Sequence, residues 1–357
     1  MRTRLGLILI VASLTVAAVS QAQARQTPTA GSLGVVAKLI GRDSINDTLD
    51  RYGVAGADLG HTFLFKDELY MVFGDTFGIA GGDWRSNTMA VIADDDPSDG
   101  LSFDRMIEDA PGHAKELLSS KKIEHDEITV IPTYGIAIGD RLFLHYMSVH
   151  EWGAPGHWDL NSSGLAYSDD GGQTWTKDPG ATWAGDSNFG QVAIVEVGDD
   201  VYFFGIPGGR YGGVHLARVG QDHLLDKDRY EYWDGSSWAP AGEATAQTIV
   251  PAPVGELSVR WSPYYHKWLM MYLDETKFGI VLRTADCLTG PWSDEQMIVT
   301  SADYPQLYAP YILPRWNDGP DLYFTMSQFG PYSVFLMRTE LTGIAPSRVA
   351  PECVAPG

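Results

Sequence analysis

A turn followed by an apolar, aromatic-rich run recurs five times along the chain, at residues 68–73, 141–146, 200–204, 267–272 and 321–326. Aligning Tyr70, Phe143, Tyr202, Trp268 and Tyr323 gives spacings of 73, 59, 66 and 55 residues. A second apolar run with small or polar ends follows each copy, at 87–93, 163–168, 213–218, 278–284 and 333–339. Another precedes each, at 58–65, 133–138, 191–197, 257–262 and 308–313. Short aromatic and β-branched runs bounded by turn residues read as strands. Three or four antiparallel strands repeated at this interval predict an all-β chain folded as a five-bladed β-propeller. A large β-sandwich would leave the five near-equal repeats unexplained. No long amphipathic stretch argues for a helix; the best candidate, residues 112–122, reads as a loop insertion. The apolar stretch 33–40 can supply a strand to the last blade, which an open ring needs to cover its sheet edges.

Composition agrees with many short strands and tight turns: 39 Gly, 20 Pro, 11 Trp, 17 Tyr and 13 Phe in 357 residues. Ser168-Asp169-Asp170-Gly171-Gly172-Gln173-Thr174-Trp175 fits the S-x-D-x-G-x-T-W pattern of an Asp-box, a structural hairpin turn in which the Asp caps backbone donors.

The N-terminus changes the picture of where the chain acts. Arg2 and Arg4 precede an apolar stretch of 15 residues (5–19), and Ala22-Gln23-Ala24 supplies a small-x-small cleavage site. Residues 1–24 are therefore expected to be a signal peptide and residues 25–357 one secreted or periplasmic domain. The apolar run is shorter than the ~20 residues that span a bilayer, so no membrane partner is expected. The net charge is −21, and removal of residues 1–24 takes away two arginines and no acid, leaving −23. So acidic a chain does not hold nucleic acid through its phosphates. The two cysteines, Cys287 and Cys353, are expected to pair in an oxidising compartment and tie the C-terminal tail to the body.

Propeller ligands sit where the innermost strands begin. The polar residues there are Asp58, Thr133, Gln191, Glu256 and Tyr308. In the first hairpin, a two-residue turn at Lys66-Asp67 pairs residues whose numbers sum to 133, and Asp58 and Asp75 share that sum. They would lie opposite each other, where Cβ atoms are ~4.5–5.5 Å apart. Two carboxylates so placed repel, and such a pair can split its proton affinities into one acid and one ionised carboxylate, as glycoside hydrolysis requires. The short separation favours a retaining route over an inverting one. Aspartates also cap turns at strand ends, and the pattern leaves both readings open. Asp58, at the start of the channel-lining strand, is taken as nucleophile and Asp75 as acid/base. Just beyond, Trp84 could stack on a sugar face, and Arg85 and Asn87 could bond hydroxyls or pair with the carboxylates; each could equally serve blade packing. His145, Trp158 and Asn161 are further rim candidates. The run His125-Asp126-Glu127 reads as a solvated loop. No ligand spacing calls for a metal or a cofactor.

These motifs stand in a fixed order: Asp58-Leu59-Gly60, Phe73-Gly74-Asp75-Thr76-Phe77, Trp84-Arg85-Ser86-Asn87, Gly164-Leu165-Ala166-Tyr167-Ser168 with its Asp-box, Ser262-Pro263-Tyr264 before Trp268, and Tyr308-Ala309-Pro310. Over about residues 50–345 the set resembles a bacterial family long catalogued as a domain of unknown function, members of which are assigned as endo-D-arabinanases. The resemblance implies a five-bladed propeller, an aspartate pair at Asp58 and Asp75, and a D-arabinan polysaccharide of the arabinogalactan or lipoarabinomannan type as partner; the chain is expected to be a monomer. A non-catalytic glycan-binding propeller is the alternative. A sialidase-like enzyme would need an Arg cluster, and only Arg85 stands near the candidate site in sequence.

Overall fold

The computed structural model describes residues 29–342, except Asp95 and Ala241. Residues 1–24 and Cys353 therefore lie outside the described residues, and with them the signal peptide and one half of the expected disulfide. Cys287 is not a free thiol.

Five antiparallel sheets form the blades. In blade 1 the inner, middle and third strands are Gly56–Phe65, Glu68–Phe77 and Thr88–Ile92. Blade 2 has Thr129–Ile138, Arg141–Trp152 and Trp158–Ser168; blade 3 has Gln191–Val197, Asp200–Ile206 and Gly212–Gly220. Blade 4 has Leu257–Ser262, Lys267–Asp274 and Gly279–Ala285; blade 5 has Leu307–Ile312, Asp321–Gln328 and Ser333–Thr342. Neighbouring inner strands pack in order around an axis, and blade 5 returns to blade 1. The apolar runs become the layers between blades, where Phe203, Phe204, Tyr272 and Phe324 are fully buried.

Closure is made by the N-terminus. Gly34–Lys38 pairs antiparallel with the third strand of blade 5, from Gly34↔Arg338 to Lys38↔Phe335. Thr29–Ala30 pairs with Leu341 and Thr342 on the same strand. The insertion at 112–122 holds no helix. The α-helix of the described residues is Thr48–Tyr52, five residues ended by Gly53 in the left-handed region (φ 67°).

The Asp-box forms as expected. The Asp170 carboxylate accepts from Thr174 N (2.8 Å), Thr174 Oγ1 (2.6 Å) and Ser168 Oγ (2.8 Å), and Trp175 Nε1 donates to Gly172 O (3.0 Å). It ties the third strand of blade 2 to its outer strand, away from the pocket described next.

Candidate functional site

Where the inner strands begin, a cavity of about 970 Å³ opens on one face of the ring. Its walls include Asp58, Asp75, Gln191, Glu256 and Tyr308. Five of the eight proposed site residues thus meet there, from four different blades, because each occupies or faces the same end of an inner strand.

The first hairpin turns at Lys66-Asp67, both left-handed (φ 49° and 67°), and holds the expected register from Phe65↔Glu68 to His61↔Val72. A bulge then intervenes. Leu59 and Gly60 are both left-handed (φ 66° and 81°), Leu59 pairs with Phe73, and the first register resumes only at Ala57↔Thr76. Asp58 therefore sits inside the bulge instead of in a regular pair with Asp75. The distortion turns its carboxyl across Gly74, where a Cβ would stand 2.5 Å from Asp58 Oδ1. Gly74 is what makes room for it. Blade 5 is distorted at the matching place: register slips between Tyr308 and Tyr311, with Ala309 left-handed (φ 52°). Bulges at such positions re-aim side chains, and these two bring the Tyr308 hydroxyl to donate to Asp58 Oδ2 at 2.9 Å.

The two carboxyls have different surroundings. Burial and the neighbouring Asp75 charge push Asp58 up to about 7, against hydrogen bonds from Tyr308 and Tyr332 that favour its ionised form. Its Oδ1 has no hydrogen-bond partner among the described residues. Asp75 is pushed up to about 6 by burial, offset by two stronger donors. Trp84 Nε1 donates to Asp75 Oδ1 at 2.8 Å and Thr129 Oγ1, from the inner strand of blade 2, donates to the same atom at 2.6 Å. The Tyr308 and Tyr332 phenols are raised well above their ordinary value by burial and by Asp58, so they remain donors.

Aromatic rings continue outward from each carboxyl. From Asp75 the sequence of contacts is Trp84, Phe77, Tyr332 and Phe329, with ring centroids 6.1, 5.4 and 6.0 Å apart. From Asp58 it is Tyr308, the Arg210 guanidinium (5.1 Å from the ring), then Trp158 (5.6 Å). Trp158 meets Trp152 edge to face at 5.7 Å. Arg210 is the lysine or arginine among the described residues that lines the pocket. Its Nε donates to both Glu256 oxygens (3.1 Å each), Nη2 to Glu256 Oε1 (2.8 Å) and Nη1 to Glu275 Oε1 (2.8 Å). The two carboxylates raise its already high proton affinity. Gln191 fixes the loop that carries it, donating from Nε2 to Pro207 O (3.2 Å) and Gly209 O (2.8 Å).

Three proposed residues lie outside the pocket wall. Trp84 is placed behind Asp75 as its donor, with its ring against Phe77, and not as a platform for sugar. Arg85 is buried and donates to Gly53 O (2.9 Å) and Ala114 O (3.1 Å), and its ion pair is with Asp83 (3.2 Å) instead of the aspartate pair. Asn87 is fully buried, donating to Leu118 O and Val130 O (2.8 Å each) and accepting from Leu117 N and Leu118 N. It clamps the insertion between blades 1 and 2. Of the other rim candidates, Trp158 lines the pocket. His145 is buried against Trp183, bonded to Thr133 Oγ1 (2.7 Å) and held neutral by burial, with its pKa lowered to about 3. Asn161 tethers Asp126 O. No group of three or more metal-ligating side chains occurs among the described residues.

Arg210, Tyr332, Thr129 and Glu275 are site residues that sequence reading did not single out. The loop Pro207-Gly208-Gly209-Arg210-Tyr211-Gly212-Gly213 carried a signal, since it repeats in blade 3 the glycine-rich passage that carries Trp84 and Arg85 in blade 1.

Comparison with known proteins places this geometry among relatives. The family described as a domain of unknown function (DUF4185) matches residues 43–338. The notoamide biosynthesis cluster protein J of Aspergillus sp. (strain MF297-2) is 31% identical over 331 residues, covering 85% of this chain and 87% of the relative. Among solved structures, a GH43_1 enzyme from Xanthomonas citri aligns with a TM-score of 0.52 at 12% identity, over 90% of this chain and 96% of that one. An exo-beta-1,3-galactanase from Phanerochaete chrysosporium aligns with a TM-score of 0.52 at 10% identity, over 86% and 64%. At such identities the likeness to these structures is one of fold.

Proposed function

The chain belongs to the DUF4185 family, and from that premise we propose that it is a glycoside hydrolase that cleaves D-arabinofuranosyl linkages within arabinan, acting endo and with retention. The observation that carries the reading is the pair Asp58 and Asp75 at the base of an aromatic pocket, both with raised proton affinity and each held by different donors. The propeller fold shared with the galactanase and the GH43_1 enzyme supports glycoside chemistry, and the ordered motifs support arabinan.

The unequal surroundings favour the reverse of the role order expected from strand position. Asp75, with the indole N–H and the threonine hydroxyl donating to one oxygen, is the better ionised carboxylate and serves as nucleophile. Asp58, with the higher proton affinity, serves as acid/base. In the first step Asp58 gives its proton to the glycosidic oxygen as the C1–O bond breaks, and Asp75 bonds to C1. In the second, Asp58 takes a proton from water, whose oxygen bonds to C1 and releases Asp75. The oxocarbenium-like charge that develops in the transition state of each step lies among Asp75, Asp58 and Glu256, with the Arg210 charge taken up by its two glutamates. We propose in addition that the chain is exported, with cleavage after Ala24, which would place it with a polymer substrate outside the cell.

Pure residues 25–357 incubated with mycobacterial arabinogalactan test the proposal, with Asp58→Asn and Asp75→Asn in parallel and products sized. A ladder of oligosaccharides from the wild type alone is expected. Absence of products from every form overturns the hydrolase reading. Retention of arabinan without cleavage would favour a glycan-binding propeller, which the eight aromatic side chains lining the pocket would also serve.

A further inference from the structure

On one face of the ring, each blade shows a large apolar side chain to solvent where its middle strand passes to its third strand. These are Ile79 in blade 1 (71% exposed), Trp152 in blade 2 (45%), Tyr211 in blade 3 (43%), Phe278 in blade 4 (68%) and Phe329 in blade 5 (62%). Five of the ten large hydrophobic residues exposed among the described residues therefore belong to one structural position repeated five times. Scattered apolar exposure is ordinary; a set gathered around one opening is not. Trp152, Phe278 and Phe329 also line the pocket, and Tyr211 stacks on the pocket residue His157 (4.4 Å, 14°).

Phe278 is the most telling member. It ends a four-residue hairpin loop between Asp274 and Gly279 in the left-handed region (φ 52°), where Gly or Asn would be the choice for folding alone. A bulky residue is kept there at a backbone cost, with its ring in water.

We infer that these residues form a crown of stacking platforms that holds an uncharged polysaccharide across the pocket mouth, with flanking sugars on both sides of the aspartate pair. This rests on the glycoside reading above and specifies it: the crown makes the polymer, not the short oligosaccharide, the preferred substrate. Two observations choose the occupant. Blade 1, which carries Asp58 and Asp75, lies between blades 5 and 2 in the ring, so a chain running from Trp152 to Phe329 crosses the mouth on the side of the two aspartates. The pocket carries four carboxylates (Asp58, Asp75, Glu256 and Glu275), and its arginine is already engaged by two of them. Among the described residues the pocket presents no free lysine or arginine to a uronate, a sulfate or a phosphate, so an anionic polymer or lipid headgroup is disfavoured, while the C–H faces of neutral sugars suit aromatic rings.

The test uses the combined variant Trp152→Ala, Phe278→Ala, Phe329→Ala in the mature chain. All three side chains are exposed, and an unchanged thermal midpoint checks the fold. The ratio of kcat/KM on arabinan to kcat/KM on a short arabinofuranosyl oligosaccharide is expected to fall at least tenfold. Independently of hydrolysis, native electrophoresis through gels containing arabinan, arabinogalactan, xylan or polygalacturonate reads binding directly. With Asp75→Asn as background, retardation by at least one neutral polymer is expected, lost in the combined variant, with none by polygalacturonate. If no substrate is cleaved but this pattern holds, the hydrolase reading falls and the crown stands. An unchanged ratio where cleavage occurs, unaltered retardation in the variant, or retardation by polygalacturonate overturns the crown. So does a wild type that is dimeric in solution while the variant is monomeric, since a second copy would then be its occupant.

Discussion

Replacing Asp58 by Asn should abolish hydrolysis and make the fold more stable, and the stability gain should depend on pH. Asp58 holds its proton up to about 7 in the folded chain, against 3.8 as a free side chain. The folded state therefore binds more protons than the unfolded state between about pH 4 and 7, and stability falls as pH rises through that window. Above it the full cost of ionising Asp58 beside Asp75 is present. At ~1.36 kcal/mol per pH unit the shift corresponds to about 4 kcal/mol. Asp58 is only part-buried, on the wall of an open pocket, so ~2–4 kcal/mol is the working range. Asparagine keeps the acceptor for Tyr308 and has no charge to bury. With an unfolding entropy of ~2.1 cal/mol/K per residue over roughly 310 residues, the thermal midpoint of Asp58→Asn should lie about 3–6 °C above wild type at pH 8. At pH 4 the two midpoints should nearly coincide. Differential scanning calorimetry across pH 4–8 gives the measurement, and Asp75 should leave a residual pH dependence near 6 in the variant. Equal midpoints at pH 8, or a gain as large at pH 4, would refute the account of a destabilised carboxyl pair.

The activity of the wild type should be bell-shaped, with an acid limb near 6 as Asp75 ionises and a basic limb near 7 as Asp58 loses its proton. Trp84→Phe removes one of the two donors to Asp75; a hydrogen bond to a charged group contributes ~1.5–3 kcal/mol, so the acid limb should move up by about one to two units while the basic limb stays. Gly74→Ala puts a methyl 2.5 Å from Asp58 Oδ1 and should lower kcat at least tenfold with far-UV circular dichroism unchanged. Asn87→Ala strands two buried carbonyls and two amides and should cost ~3–5 kcal/mol, read as a lower urea midpoint; an unchanged midpoint would return Asn87 to the list of ligand contacts.

The blade architecture was open to reading because inner strands are apolar on both faces and begin after turns, which local sequence records. Gln191–Val197 and Leu257–Ser262 have the expected limits, and Gly34–Lys38 lies within the stretch expected to close the last blade. Asp58, Asp75, Gln191, Glu256 and Tyr308 reached one pocket for the same reason: a propeller brings all strand starts together. The Leu59-Gly60 bulge was not legible, since leucine in a left-handed conformation contradicts its own preference and is imposed by tertiary packing. Gly60 lies so close to Val334 of blade 5 that a Cβ there would stand 2.7 Å from Cγ1. Arg85 and Asn87 were ambiguous because local order does not tell which side of a loop faces the cavity. Arg210 is brought to Tyr308 and Glu256 by the arrangement of blades 3, 4 and 5 in the closed ring, which local sequence does not record.

That closure has a consequence for how the molecule is made. Gly34 and Arg338 pair although about 300 residues separate them, so the ring's last seam joins the earliest of the described strands to the latest. Bringing ends so far apart together costs ~5 kcal/mol of chain entropy, and nothing repays it until blade 5 exists. A chain emerging in order can fold blades 1 to 4 in turn, but each nascent intermediate keeps an exposed sheet edge at both ends. The seam makes folding slow and all-or-none at its final step, and a product truncated before Ser333 should remain an open, association-prone arc.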